Sequence, residues 1–87
     1  MKTFTERVID IVKSIPAGSV LTYKQVAERA GNEQSSRAVG SIMRKNYVDT
    51  IPCHRVIRSD GKIGNYNRGG ENIKLQKLLA EGYTPEK

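Results

Sequence analysis

The chain has 87 residues, which is enough for one compact domain with a modest core. Fifteen Lys and Arg residues against nine Asp and Glu residues give a net charge of +6, which favours a polyanionic partner such as nucleic acid. A single cysteine excludes an internal disulfide, and neither a signal-like N-terminus nor an apolar run of about 20 residues occurs, so a soluble, cytoplasmic protein is expected.

The first predicted helix opens at Thr3, which has a glutamate three residues later. In this spacing the threonine and Glu6 each cap a backbone N–H group of the other. Apolar residues then recur at helical spacing and predict one buried face, and residues 16–18 (Pro-Ala-Gly) end the helix. The members of this face are Phe4, Val8, Ile11, Val12 and Ile15.

A second helix follows a short extended segment. Thr22 and Gln25 repeat the capping spacing, so this helix is predicted from Tyr23 to about Ala30. Gly31 is available as its left-handed stop.

The third helix is predicted to begin near residues 34–35 and to end near Lys45, with an inward face of Ala38, Val39, Ile42 and Met43. Two short helices joined by a tight turn with glycine are typical of a helix-turn-helix, although an ordinary helical hairpin has the same pattern. The outward face favours the helix-turn-helix because its hydroxyls and cations suit phosphate groups. These residues are Ser35, Ser36, Arg37, Ser41, Arg44 and Lys45.

The C-terminal part predicts a small hairpin, a loop and a last helix. Residues 56–58 (Val-Ile-Arg) and 63–64 (Ile-Gly) flank an Asp-Gly turn signal, which predicts a β-hairpin. After a loop rich in Gly and Asn, a helix is predicted from residue 71 or 72 to Glu81, with Gly82 as its stop. The predicted fold is therefore mainly α with a small β-hairpin, a winged helix-turn-helix-like single domain over residues 1–87. The inward residues of the last helix are predicted to be Ile73, Leu75, Leu78 and Leu79.

The only cysteine and the only histidine of the chain stand side by side. A thiol attacks as its thiolate, and a neighbouring imidazole or cation raises the thiolate fraction, so Cys53 beside His54 and Arg55 is a candidate nucleophile. Pro52 disfavours a helix through the pair and predicts a rigid bend. The alternative is a buried cysteine and a histidine with only structural roles. A zinc site is disfavoured, because one Cys and one His fall short of three or four ligands.

Residues 52–56 (Pro-Cys-His-Arg-Val) follow a helix-turn-helix that holds residues 36–40 (Ser-Arg-Ala-Val-Gly) and precede residues 64–66 (Gly-Asn-Tyr). In this order they closely resemble the DNA-binding, active-site domain of O6-alkylguanine-DNA alkyltransferases, over nearly the whole chain. In that family the domain is C-terminal to another domain, which is absent here. The resemblance implies a monomer that acts on double-stranded DNA containing O6-alkylguanine, with no cofactor, no metal and no membrane partner.

The resemblance implies direct reversal of damage, in which an alkyl group moves from guanine O6 to Cys53 in one displacement. His54 produces the thiolate through a water, and Glu81 holds the histidine. Tyr23 contacts the phosphate of the flipped nucleotide and donates toward guanine N3. Because a thioether is a poor leaving group, the protein is consumed after one reaction.

The remaining matches imply roles in DNA binding and in shaping the pocket. Arg37 fills the space that the flipped base leaves, with the third helix in the minor groove, and Asn46 ties that helix to the active-site turn. Further DNA contacts are predicted for Ser35, Ser36, Tyr23 and Arg44, and the substrate pocket for Tyr66, Ile63 and Asn67.

Two other functions stay open. One is a non-catalytic, alkyltransferase-like protein that binds lesions. Short relatives of that kind replace the acceptor cysteine, commonly with tryptophan, so Cys53 favours catalysis. The other is a winged-helix regulator in which Cys53 only fills the core.

Overall fold

The computed structural model describes residues 2–46, 50–60, 62–64, 66 and 69–84. Within them four α-helices and a two-stranded sheet form, which confirms a mainly helical fold with a small sheet. Turns of 3-10 helix over Glu33–Ser35 and Cys53–Arg55 precede the third helix and the second strand. The helices are α1 (Phe4–Lys13), α2 (Tyr23–Arg29), α3 (Ser36–Arg44) and α4 (Gly70–Ala80), and the strands are β1 (Leu21–Thr22) and β2 (Val56–Ile57).

Both predicted capping boxes are confirmed. At the start of α1 the Glu6 N–H donates to Thr3 Oγ1 at 3.1 Å, and the Thr3 N–H donates to Glu6 Oε1 at 3.0 Å. At the start of α2 the Gln25 N–H donates to Thr22 Oγ1 at 3.0 Å, and the Thr22 N–H donates to Gln25 Oε1 at 2.9 Å. Tyr23, the first residue of α2, is therefore held at a fixed helix start.

The start of α3 differs from its predicted cap. Ser35 occupies the N-cap position, but its side chain makes no capping hydrogen bond. The preceding 3-10 turn is capped by Asn32, whose Oδ1 accepts from the Gln34 N–H at 3.2 Å. Gly31 adopts a positive φ of 97°, as predicted for the stop of α2.

The main core lies where α1, α2 and α3 meet the turn over Cys53–Arg55. On α3, Val39 and Met43 are buried and Ile42 is partly buried, whereas Ala38 is exposed and was wrongly assigned to the inward face. Cys53 belongs to this core, so the reactive segment is part of the packed structure. The other buried members are Val8, Val12, Ile15, Leu21, Val26, Ala27, Ala30, Ile51, Val56 and Tyr66.

The predicted hairpin is wrong in its pairing. Strand β2 pairs with β1 in parallel, with Leu21 opposite Val56 and Thr22 opposite Ile57, and residues 63–64 form no strand. The turn signal itself forms a turn, since the Lys62 N–H donates to Asp60 Oδ1 at 3.0 Å; Gly61 lies outside the described residues. Because β2 is buried on both of its residues, its partner is set by packing against the strand that leads into α2.

The inward face of α4 also differs from the prediction. Leu78 is fully buried and Leu75 partly buried, but Ile73 is 36% exposed and Leu79 50% exposed. Lys74, one turn before Leu78, is only 1% exposed. Residues four apart share a helix face, so the buried face of α4 is built on Lys74 and Leu78. The sequence prediction left Lys74 out because it assigned only apolar residues to the interior.

Neither a membrane-spanning helix nor a metal-binding cluster occurs in the described ranges. No helix there has the length and apolarity to cross a membrane. No three or more His, Cys, Asp and Glu residues there are arranged to hold a metal ion.

Candidate active site beside a basic groove

Cys53 stands at the start of a turn that Pro52 shapes. Pro52 has φ −79° and ψ 65°, the geometry of an inverse γ-turn, and the Cys53 N–H donates to the Ile51 carbonyl at 2.8 Å. The Arg55 N–H then donates to the Pro52 carbonyl at 2.9 Å. A bend at Pro52 is thus confirmed, but one turn of 3-10 helix runs through Cys53 and His54, where Pro52 was expected to disfavour a helix. The Cys53 side chain is buried.

On one side of Cys53, His54 and Arg55 converge on Glu81, the C-cap residue of α4. Arg55 holds this carboxylate with two hydrogen bonds, Nε to Oε1 at 3.0 Å and Nη2 to Oε2 at 2.5 Å, and its Nη1 donates to the Ile15 carbonyl at 2.7 Å. His54 Nε2 lies 3.0 Å from Glu81 Oε1. A ring N–H at Nε2 is not aimed at that oxygen, so the pair is close without an aligned hydrogen bond.

The charges on this side follow from the same contacts. The hydrogen bonds from Arg55, reinforced by His54, lower the pKa of Glu81 to about 2, although burial opposes the shift. Burial lowers the pKa of His54 below 6.5, against the opposing effect of Glu81. At pH 7 the site therefore pairs an ionised carboxylate with a neutral imidazole, the state in which a histidine can accept a proton.

On the other side of Cys53, Lys74 approaches Tyr23. Lys74 Nζ lies 3.5 Å from Tyr23 Oη and 5.6 Å from the centroid of its ring. Cys53 interacts electrostatically with both groups. A Cβ on Gly64 would lie 3.8 Å from Lys74 Nζ, so this loop passes close to the ammonium. The sequence interpretation missed Lys74, and its only signal was the four-residue spacing from Leu78.

Burial also sets the protonation states here. It lowers the pKa of Lys74 to about 8, against the opposing effects of Cys53 and Glu71. It raises the pKa of Tyr23, as does Cys53, while Arg44 and Arg58 act in the opposite sense. At pH 7 Tyr23 is therefore a proton donor, and Lys74 is mostly an ammonium that titrates just above neutrality.

The predicted pocket residues are only partly brought to the site. Tyr66 is buried and meets His54 edge to face, with ring centroids 6.5 Å apart and an angle of 76°. The Ile63 side chain packs into a second small core with Ile57 and Leu78, so only its backbone is left to line a pocket. Asn67 lies outside the described residues.

A groove of about 710 Å³ runs along the exposed face of α3. Ser36, Arg37 and Arg44, three of the predicted DNA contacts, line it together with Tyr23, whereas Ser35 is not among its lining residues. Among the described residues, the lining holds three arginines and no carboxylate, so the surface suits a polyanion. The remaining lining residues are Gly40, Ser41, Arg58 and Ser59.

Asn46 connects the C-terminal end of α3 to the turn that carries Cys53. It directly follows Lys45, the C-cap of α3, and its Nδ2 donates to the Ile51 carbonyl at 3.5 Å. Ile51 is the residue whose carbonyl also accepts from the Cys53 N–H. This geometry agrees with the supporting role predicted for Asn46.

Comparison with known proteins places this site in context. Residues 3–83 match the model of the 6-O-methylguanine DNA methyltransferase, DNA binding domain. The chain is 49% identical over 82 residues to the methylated-DNA–protein-cysteine methyltransferase of Rattus norvegicus, covering 92% of this chain and 39% of that protein. It is also 49% identical over 83 residues to the protein of that name from Methanothermobacter thermautotrophicus, covering 95% and 46%. The chain thus spans less than half the length of these relatives.

Solved structures give the same result for the fold. S. pombe Atl1 in complex with damaged DNA containing O6-carboxymethylguanine matches with a TM-score of 0.82 and 35% identity, over 94% of this chain and 80% of that one. Mycobacterium tuberculosis OGT in complex with DNA matches with a TM-score of 0.84 and 35% identity, over 93% and 49%.

Proposed function

Since the chain belongs to the 6-O-methylguanine DNA methyltransferase family through the DNA-binding domain of that family, we propose that it repairs DNA by moving an alkyl group from guanine O6 to Cys53. One observation carries this proposal. The buried Cys53 directly precedes His54, whose Nε2 lies 3.0 Å from Glu81 Oε1, and it interacts electrostatically with Tyr23 and Lys74. Tyr23 also lines the basic groove. The correspondence of this domain to the C-terminal domain of the family stays a prediction.

The thiolate forms on the histidine side. His54 is neutral at pH 7, so it can take the Cys53 proton through a bridging water. Glu81 is ionised and 3.0 Å away, and a small ring rotation would align it with the imidazolium that results. Arg55 donates to both oxygens of this carboxylate and thereby acts as a positioning residue.

The transfer step makes one bond and breaks one. The Cys53 sulfur attacks the alkyl carbon, the S–C bond forms, the C–O6 bond breaks, and its electron pair stays on guanine. Tyr23 donates a proton toward guanine N3 as this charge develops, and the Lys74 ammonium beside Tyr23 stabilises both the thiolate and the phenolate. The products are guanine and an S-alkyl cysteine, and because a thioether does not leave, each molecule reacts once.

Reaching O6 requires extrusion of the base, at a cost of a few kcal/mol. Arg37 projects from the exposed face of α3 into the groove, where it can fill the vacated space, and Ser36 and Arg44 can bind phosphates. Such a reaction takes place in the compartment that holds DNA.

The test is a mass measurement. We expect incubation with a duplex containing O6-methylguanine to add one methyl group to the peptide that carries Cys53, in a stoichiometric amount. Cys53→Ser should bind the same duplex and gain no mass. A folded protein that forms no adduct under reducing conditions contradicts the proposal.

The extrusion role of Arg37 has its own test. Arg37→Ala should slow transfer from duplex DNA far more than transfer from free O6-alkylguanine base, because the free base needs no extrusion. Equal losses on the two substrates would show that Arg37 acts elsewhere.

A second candidate is a protein that binds lesions without reacting. The match to S. pombe Atl1, solved in complex with damaged DNA, favours this candidate, since this chain covers 80% of the Atl1 chain. It predicts preferential binding to lesion DNA that is unchanged in Cys53→Ser, with no gain in mass. The regulator hypothesis is weaker, since residues 63–64, which would form the second strand of its wing, form no strand.

A further inference from the structure

The parallel sheet brings one arginine outside the helix-turn-helix to the phenol of Tyr23. Thr22 is opposite Ile57, so the next residues, Tyr23 and Arg58, leave the two strands side by side at the same edge. Arg58 and Ser59 accordingly line the basic groove together with Tyr23. The chain therefore supplies a wall of the groove that is independent of α2 and α3.

Local contacts direct the Arg58 side chain. A Cβ on Gly64, which has φ 82°, would lie 3.0 Å from Arg58 Cγ and 3.3 Å from its Cδ, so the stem of the arginine packs on this glycine. Arg58 Nη2 pairs with Asp60 Oδ2 at 2.9 Å, between side chains that are 55% and 44% exposed. An ion pair this exposed is weak, and a guanidinium carries further N–H donors for a second acceptor.

A second guanidinium faces the same space from α3. Arg44 Nη2 donates to Ser41 Oγ at 3.1 Å, and both residues line the groove. Arg44 and Arg58 both act electrostatically on the Tyr23 phenol, which places the two cations near one hydroxyl. Planar guanidinium forks and hydroxyls are the groups that bind a phosphodiester in two places at once.

We propose that Arg58 and Arg44 form a two-sided clamp over Tyr23 that binds a phosphate flanking the extruded nucleotide. The inference rests on the proposed function, which identifies the bound strand as the DNA strand with the alkylated guanine. It adds Arg58, which lies outside α2 and α3, as a positioning residue. The Asp60 carboxylate competes with the phosphate for Arg58, so it limits the affinity of the clamp.

The decisive experiment is a double-mutant cycle on binding. Affinity is measured in a Cys53→Ser background, for a duplex that carries O6-methylguanine and either normal flanking phosphates or a methylphosphonate at one of them. We expect Arg58→Gln to weaken binding to the normal duplex by about fivefold and to lower the salt slope of log K by about 0.9. The methylphosphonate at one flanking position should then weaken binding by the parent protein more than binding by Arg58→Gln, in which only Arg44 is left to bind that phosphate.

Matched variants exclude a general charge effect. Arg29→Gln removes the same charge from the exposed end of α2, outside the lining of the groove, and should retain the salt slope and the methylphosphonate effect. Arg58→Lys should restore the slope. Asp60→Asn keeps the Oδ1 acceptor of the turn but removes the charge that competes for Arg58. It should therefore tighten DNA binding about threefold, whereas Arg58→Gln weakens it.

The outcomes separate the two proposals. Coupling between Arg58 and a flanking phosphate supports the clamp even if no methyl transfer to Cys53 is found, a result that would overturn only the repair function. The clamp is overturned if the losses of affinity from Arg58→Gln and from the methylphosphonate are additive at both flanking positions. Equal effects of Arg58→Gln and Arg29→Gln overturn it as well, even when methyl transfer is complete. Thermal unfolding of each variant verifies that it is folded before binding is measured.

Discussion

The surroundings of Glu81, beside His54, stabilise its charge, whereas the surroundings of Lys74, beside Tyr23, disfavour its charge. On the side of His54, a guanidinium holds Glu81 ionised, and the pKa of that carboxyl falls to about 2. On the side of Tyr23, burial makes the ammonium of Lys74 less favourable, and its pKa falls to about 8. The first arrangement stabilises a charge over the whole physiological range, whereas the second retains a charge at an energetic cost.

Under the proposed function, this difference gives the two sides different roles in the transfer. A carboxylate that is always ionised gives His54 a constant orientation and a constant partner for the proton it accepts. An ammonium buried beside a phenol and a thiol is stabilised by any negative charge that appears there, so it favours the reacting state over the resting one. We therefore expect the first side to contribute to stability and catalysis together, and the second to improve catalysis while reducing stability.

The largest effect is expected from Glu81→Gln. It removes the charged acceptor of two Arg55 hydrogen bonds and the partner of His54, so transfer to Cys53 should slow roughly 100-fold. The free energy of unfolding should fall by about 2 kcal/mol, because charged hydrogen bonds are lost. Single-turnover kinetics and urea unfolding measure both changes.

The control for this variant lies on another helix. Glu28→Gln, exposed on α2, should leave the rate nearly unchanged and alter stability by less than about 0.5 kcal/mol. Equal losses of rate in the two variants would contradict a specific role for Glu81.

Lys74→Met should separate activity from stability. Methionine fills a similar volume without a buried charge, so the free energy of unfolding should rise by about 1 to 3 kcal/mol. Transfer should slow roughly 10-fold or more, since no ammonium stabilises the thiolate and the phenol. Lys24→Met, on the exposed face of α2, should change neither quantity much. A variant that is both less stable and slower would indicate that Lys74 is mainly structural.

The pH dependence of stability should distinguish the two sides at opposite ends of the scale. The pKa of Lys74 is about 8 in the folded chain against 10.5, so the unfolded chain binds more protons between these values and stability rises with pH there. The pKa of Glu81 is about 2 against 4.5, so its contribution is full above pH 4.5 and is lost as the pH falls toward 2. Lys74→Met should remove the alkaline rise, and Glu81→Gln should weaken the acid loss.

These measurements also bear on what the sequence could predict. The threonine caps, the glycine stop of α2 and the bend at Pro52 were predicted correctly, because each depends on residues within one turn of each other. The pairing of β2 was predicted wrongly, since the Asp-Gly signal is local while its true partner, β1, is distant in sequence. Lys74 was missed because periodicity assigns only apolar residues to a core, and a buried lysine is revealed only by the tertiary structure around it.

The smallest effect is expected at the caps, where the chain offers two equivalent boxes. Thr3→Ala and Thr22→Ala each remove one side-chain acceptor at a helix N-terminus and should each cost about 1 kcal/mol of stability. Only the second box fixes Tyr23 at the first position of α2, opposite Lys74. Thr22→Ala should therefore slow transfer about threefold at equal stability, because misplacement of a proton donor by a fraction of an ångström weakens catalysis. If Thr3→Ala slows transfer equally, the rate depends on general stability, and the cap of α2 has no special part in positioning Tyr23.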